Sequence, residues 1–162
     1  MKITTMTAAA LLMTSSAAFA EPTQLQFDVE ANIPSSNFYV IADGGWDSNI
    51  QKMGWDNVGE KLLNVNQNIK AKNTAGGISG YLASPAALYH VSETKEIPLT
   101  VSVGGSALPV GATGAPVLVT EALATTERTL PLVVAPTAAA DYTTAGDYHG
   151  VVTLMFDSVT TP

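Results

Sequence analysis

From Gln24 to Ile33 the chain reads Gln-Leu-Gln-Phe-Asp-Val-Glu-Ala-Asn-Ile, polar and apolar residues alternating in unbroken phase. In an extended strand successive side chains point to opposite faces. Leu25, Phe27, Val29, Ala31 and Ile33 therefore share one face, and Gln24, Gln26, Asp28, Glu30 and Asn32 share the other. Pro34 stops the strand, because it has no N–H to give to a ladder. An apolar face this regular has to be buried, either within its own domain or in another copy of the chain. The residues alone leave both open.

What precedes this strand reads as an export signal. Lys2 supplies a positive start, Met6 to Met13 form a short apolar run, and Ala18-Phe19-Ala20 presents small residues in the spacing that signal peptidase reads. Cleavage is expected between Ala20 and Glu21. The apolar run is too short for an anchor, since spanning a bilayer takes about 20 apolar residues, and no later stretch is long enough. We therefore expect a signal peptide at 1–20 and an exported chain without membrane insertion. Removing 20 of the 162 residues leaves 142, one domain of ordinary size.

Charge narrows the partners. Without Lys2, six Lys and Arg remain against 14 Asp and Glu, a net charge of −8. Nucleic acid and anionic membrane both call for basic patches, so neither is expected as a partner. Charged residues make up 13% and hydrophobic residues 46%, a composition that folds. An exported chain with no cysteine draws its stability from packing or from a partner, not from disulfides.

Beyond Pro34 the pattern is strand-like throughout, rich in Val, Ile, Leu, Tyr and Thr. Strands are expected at Asn37 to Ala42, closed by the Asp43-Gly44-Gly45 turn, and at Lys61 to Ala71, Ile78 to Ala83, Ala86 to Val91 and Ile97 to Val103. Pro116 to Thr120 and Leu130 to Ala135 are shorter and contain or border prolines, which suits edges or strand starts. The last expected strand, Tyr148 to Phe156, puts Tyr148, Val152, Leu154 and Phe156 on one side. Glu121 to Glu127 alone suggests a helical turn. The Ala/Thr/Pro-rich stretch Ala135 to Gly146 reads as a loop into the final strand. Eight or nine short strands with turns between them describe an all-β sandwich.

Catalytic chemistry is nearly absent from the pattern. His149 falls opposite Val152, Leu154 and Phe156 and should face solvent, and His90 sits in Leu-Tyr-His-Val as a strand residue. Neither belongs to a metal-ligand spacing or a nucleophile–base grouping. Asp43, Asp47 and Asn49 gather oxygen atoms, but their glycine spacing and the missing terminal Glu depart from a calcium loop; a turn accounts for them. Trp46 and Trp55 are candidates for a sugar-stacking platform, although aromatic residues at this density more often belong to core or rim. No cofactor or metal is expected, and an exported hydrolase is disfavoured.

The chain resembles the major shaft subunits of the colonisation-factor-antigen fimbriae, the alpha class of chaperone–usher pili of Gram-negative bacteria. The likeness lies in the Leu25-to-Ile33 strand closed by Pro34, in Ala42-Asp43-Gly44, in Ile97-Pro98-Leu99-Thr100-Val101-Ser102-Val103-Gly104-Gly105 and in Thr144-Ala145-Gly146-Asp147-Tyr148-His149-Gly150-Val151-Val152. It is weakest from Asp47 to Glu60. The resemblance implies an immunoglobulin-like β-sandwich, at 35–162, that lacks one strand and is completed by a donor strand from a neighbour. Leu25, Phe27, Val29, Ala31 and Ile33 would be the polymerising side chains of an extension at 21–34, with Pro34 as its hinge. Implied partners are other copies of the chain, a periplasmic chaperone, an outer-membrane usher and a minor tip adhesin, with passage through the periplasm to a surface fimbria. The alternative is an exported monomeric β-sandwich that binds carbohydrate as an adhesin.

Overall fold

The computed structural model describes residues 37–160 together with residues 28–29. The chain divides into two units, Met1–Ile33 and Pro34–Pro162, and the elements that follow belong to the second. Leu25, Phe27, Ala31, Ile33, Pro34, Ala20 and Glu21 lie outside the described residues. Val29 is described, in irregular backbone, and is 82% exposed.

Twelve strands, one short α-helix and a single 3-10 turn at Trp46–Ser48 follow among the described residues. They are β1 (Phe38–Ala42), β2 (Trp55–Asp56), β3 (Lys61–Leu62), β4 (Val65–Asn73), β5 (Gly77–Leu82) and β6 (Ala87–His90). Next come β7 (Glu96–Val103), β8 (Ser106–Ala107), β9 (Val117–Val119), α1 (Glu121–Ala124), β10 (Arg128–Pro136), β11 (Tyr148–His149) and β12 (Leu154–Val159). The larger sheet has the order β1-β4-β10-β7-β6-β11, with β8 also paired to β7; the smaller runs β12-β5-β9. Every named strand pair is antiparallel. The β2–β3 hairpin stands apart.

Two-residue alternation sets the faces. Ile97, Leu99, Val101 and Val103 of β7 turn inward, as do Ile69 and Ala71 of β4, while Lys70 and Lys72 turn outward. The β7 row and Ile69 meet Leu82 of β5, Leu132 of β10, and Leu154 and Phe156 of β12 in one cluster. Ala71, Ile78, Val119 and Ala124 form a second cluster at one end, with Phe156 packed against both. Buried Asn73 ties that end together: its Nδ2 donates to the Gly77 carbonyl at 2.9 Å and to Ser158 Oγ at 2.7 Å, and its Oδ1 accepts from Ala75 N at 3.0 Å. A Cβ at Gly80 would lie 2.7 Å from Leu118 Cδ1 and 3.2 Å from the Phe156 ring, so those side chains would have to shift to admit one.

The all-β sandwich is what the pattern predicts, but three expectations need correction. The expected strand Tyr148 to Phe156 is broken at Gly150–Thr153: β11 pairs β6 in the larger sheet, whereas β12 pairs β5 in the smaller. Its alternation survives because Tyr148, Val152, Leu154 and Phe156 still pack on the same core. The expected strand Lys61 to Ala71 divides into β3 and β4. Finally, β10 is no edge strand, since it pairs both β4 and β7 despite Pro131. The Pro131 carbonyl accepts from Gly104 N at the end of β7. N and C=O of one strand residue point the same way, so the missing N–H faces the place where β7 has already turned off.

Candidate functional site

Strand β12 ends the smaller sheet, and among the described residues no strand lies on its outer side. Its hydrogen-bonding phase can be read from its neighbours. The Thr153 carbonyl accepts from Ala83 N at 3.0 Å, while Leu82 N donates away from β12 to Pro109 and Gly80 N donates away to Pro116. Leu82 and Gly80 are the register partners of Leu154 and Phe156. The pairs 154–82 and 156–80 are thus the non-hydrogen-bonded ones. Leu154, Phe156 and Ser158 direct their backbone N–H and C=O groups to the free edge.

Beside that edge lies a groove of about 590 Å³. Its floor is the inner face of the larger sheet, including Val65, Ile69, Leu99, Leu132 and Val134. One wall is β12 with the segment Gly150–Val152 leading into it, and Val151, 80% exposed, stands on the rim. The other wall is the segment Trp46–Met53 between β1 and β2, which contributes Trp46, Asn49, Ile50, Gln51 and Met53. The Gly44–Gly45 turn, at φ 78° and 70°, brings that segment back over the sheet edge. Only glycine takes such angles without strain.

The second wall is held by side chains. Trp46 Nε1 donates to the Asn68 carbonyl at 2.7 Å, and Gln67 Nε2, from β4, donates to Gln51 Oε1 at 2.7 Å. Gln51 Nε2 in turn donates to the carbonyls of Trp46, at 2.7 Å, and Asn49, at 2.9 Å. Among the described lining residues Asp47 is the one ionisable side chain. Such a groove can take an extended apolar segment that pairs with a strand edge; it offers no acid–base or nucleophilic grouping.

The other residues singled out by sequence fall elsewhere. Trp46 packs against the core and Trp55 stacks edge-to-face on Tyr142, centroids 5.5 Å apart, so the two have different neighbours. His149 is exposed. His90 organises a turn: its Nδ1 accepts from Ser92 N and Glu93 N, and its Nε2 lies 3.3 Å from the Ala145 carbonyl. Asp43 pairs with Lys70 at 3.3 Å, and among the described residues no acidic or histidine cluster could hold a metal. The perturbed ionisable groups are also local. Hydrogen bonds from the Gly59 and Val58 backbone hold Asp56 below its ordinary pKa, and bonds from Thr143 do the same for Asp141. The hydrogen bond from Tyr39 to Glu127, at 2.8 Å, raises the phenol. No helix among the described residues is long and apolar enough to cross a membrane.

The groove was not legible in the sequence. Its lining comes from β1, the 46–53 segment, β4, β6, β7, β10 and the last strand, and no local spacing reveals that these converge around a missing neighbour. Strand β12 offered the one usable signal, since its alternation announces a sheet face without saying which edge stays open.

Known proteins bear on this architecture. No curated protein matches the chain significantly in sequence. Among solved structures, it is similar to the CooA pilin subunit from enterotoxigenic Escherichia coli, with a TM-score of 0.58 and 16% identity over 80% of this chain and 90% of that one. At that identity the likeness speaks for the fold. Residues 23–157 match the family described as CS1 type fimbrial major subunit. A sandwich in which strand β12 has no described neighbour on its outer side is thus met by a family match over most of its length: the chain belongs to the CS1-type fimbrial major subunits and is a structural pilin subunit of a surface fimbria.

Proposed function

We propose that the groove beside β12 is the acceptor site for the extension 21–34 of a neighbouring copy, and that the fimbria grows by this exchange. The observation that carries the reading is the free edge of Leu154, Phe156 and Ser158 standing over an apolar trough. An added strand would take its ladder bonds from that edge and send alternate side chains to the floor. Leu25, Phe27, Val29, Ala31 and Ile33 are the residues of matching period, and Pro34 is the hinge into the sandwich at 35–162. Burying five such side chains contributes about 7–12 kcal/mol gross, from roughly 1.5–3 each with Ala31 giving less. Ordering the extension offsets part of this.

An open edge above an apolar groove invites aggregation, which gives a periplasmic chaperone its role before the outer-membrane usher passes the subunit to the fibre. Cleavage between Ala20 and Glu21 would free the extension, and a minor tip adhesin would lead the polymer. A one-residue slip would aim Gln24, Asp28 and Glu30 at the groove, so the register is strongly specified. The test is Val29→Asp in the exported chain, with fibres scored by electron microscopy and subunit by immunoblot. Fibres should vanish while chaperone-bound subunit persists; fibres in normal number would overturn the donor-strand assignment.

A further inference from the structure

The two walls of the groove are built differently. Strand β12 is fixed by a six-residue register with β5. The segment Trp46–Met53 belongs to no strand, and among the described residues it reaches the sheet through the Trp46 indole and the Gln51–Gln67 amide pair. Gln51 is fully engaged there, with both Nε2 hydrogens donated to backbone carbonyls of the segment and its Oε1 receiving Gln67. It therefore closes the segment on itself and ties it to the floor strand β4 at the same time. Both amides are partly buried in a mostly apolar lining, an expensive placement unless they are paired.

We infer that Gln51 and Gln67 are positioning residues for strand uptake: their hydrogen bond holds the 46–53 segment at the distance from β12 that one inserted strand requires. This rests on the acceptor-groove reading above. The physical reason is preorganisation. A wall already fixed costs no ordering when the strand arrives, whereas a free one must be immobilised out of the binding free energy. Paired in the empty groove, the amides also need no new partner once the strand excludes water.

The test uses full-length chain assembled into polymer, and measures release of subunits on heating together with exchange of a labelled peptide of residues 22–34. Gln51→Ala removes three hydrogen bonds, of which the one from Gln67 ties the segment to the floor, and should speed peptide release roughly five- to tenfold. Gln67→Leu keeps the bulk of the floor and should do the same, and in both variants the acceleration should exceed what the accompanying fall in subunit melting temperature accounts for. Release as slow as in the wild type for either variant would overturn the inference, as would acceleration that only tracks a fall in subunit stability. Failure of the wild-type chain to bind the peptide at all would instead remove the acceptor-groove reading, and this inference with it.

Discussion

Strands β7 and β12 carry the same alternation and meet different fates. In β7, with β10 and β6 on its two sides, Ile97, Val101 and Val103 are 3%, 0% and 0% exposed. In β12 the inward residues Leu154 and Phe156 are only half-buried, although they face the same core. A side-chain period decides which face a residue joins. How deeply it is buried depends on whether a neighbouring strand completes the layer. Under the acceptor-groove proposal, the contrast separates what holds the subunit together from what is left for a second copy.

Breaking the covered side should have the largest effect. Val101→Asp places an unpaired carboxylate in a fully buried position, a cost of several kcal/mol. No folded subunit should accumulate, as judged by soluble yield and circular dichroism. Next comes the seam between the two sheets. Asn73→Ala removes three hydrogen bonds and orphans the Ala75 N–H, which should lower subunit stability by about 2–3 kcal/mol in a urea titration.

The open side should behave in the opposite way. Val151→Asp on the exposed rim should shift subunit stability by no more than about 0.5 kcal/mol. It should nevertheless lower the temperature at which fibres dissociate, because a strand in the groove would lie against it. An unchanged dissociation temperature would blur the contrast between the two strands.

The smallest effects concern protons. Asp141, held below its ordinary value of 3.8 by Thr143, has a depressed folded-state pKa. Its contribution is therefore present above that ordinary value and is lost as pH falls through the folded one. The protection of the Thr143 amide, relative to its intrinsic exchange rate at each pH, should fall as pH drops below the ordinary carboxylate value of 3.8.

Local chemistry in the sequence determined a good deal. Gly44-Gly45 ends β1 where expected, Glu121 begins the one short helix, and the rows Ile69/Ala71 and Ile97-to-Val103 face inward as their period requires. Each of these follows from interactions within a few residues along the chain. Two of the places where sequence reasoning failed involve partners distant in sequence. Pro131 looked like an edge signal, yet β10 runs through the middle of its sheet because β7 turns away just where an N–H would be missed. Gly150–Thr153 carries the chain from one sheet to the other inside what reads as a single strand. The groove, its side-chain-held wall and the outward-facing backbone of Leu154 and Phe156 were decided by tertiary structure alone. Among the described residues the outer edge of β12 has no strand beside it, and which edge stays uncovered depends on how segments far apart in sequence pair, which a local side-chain period does not encode.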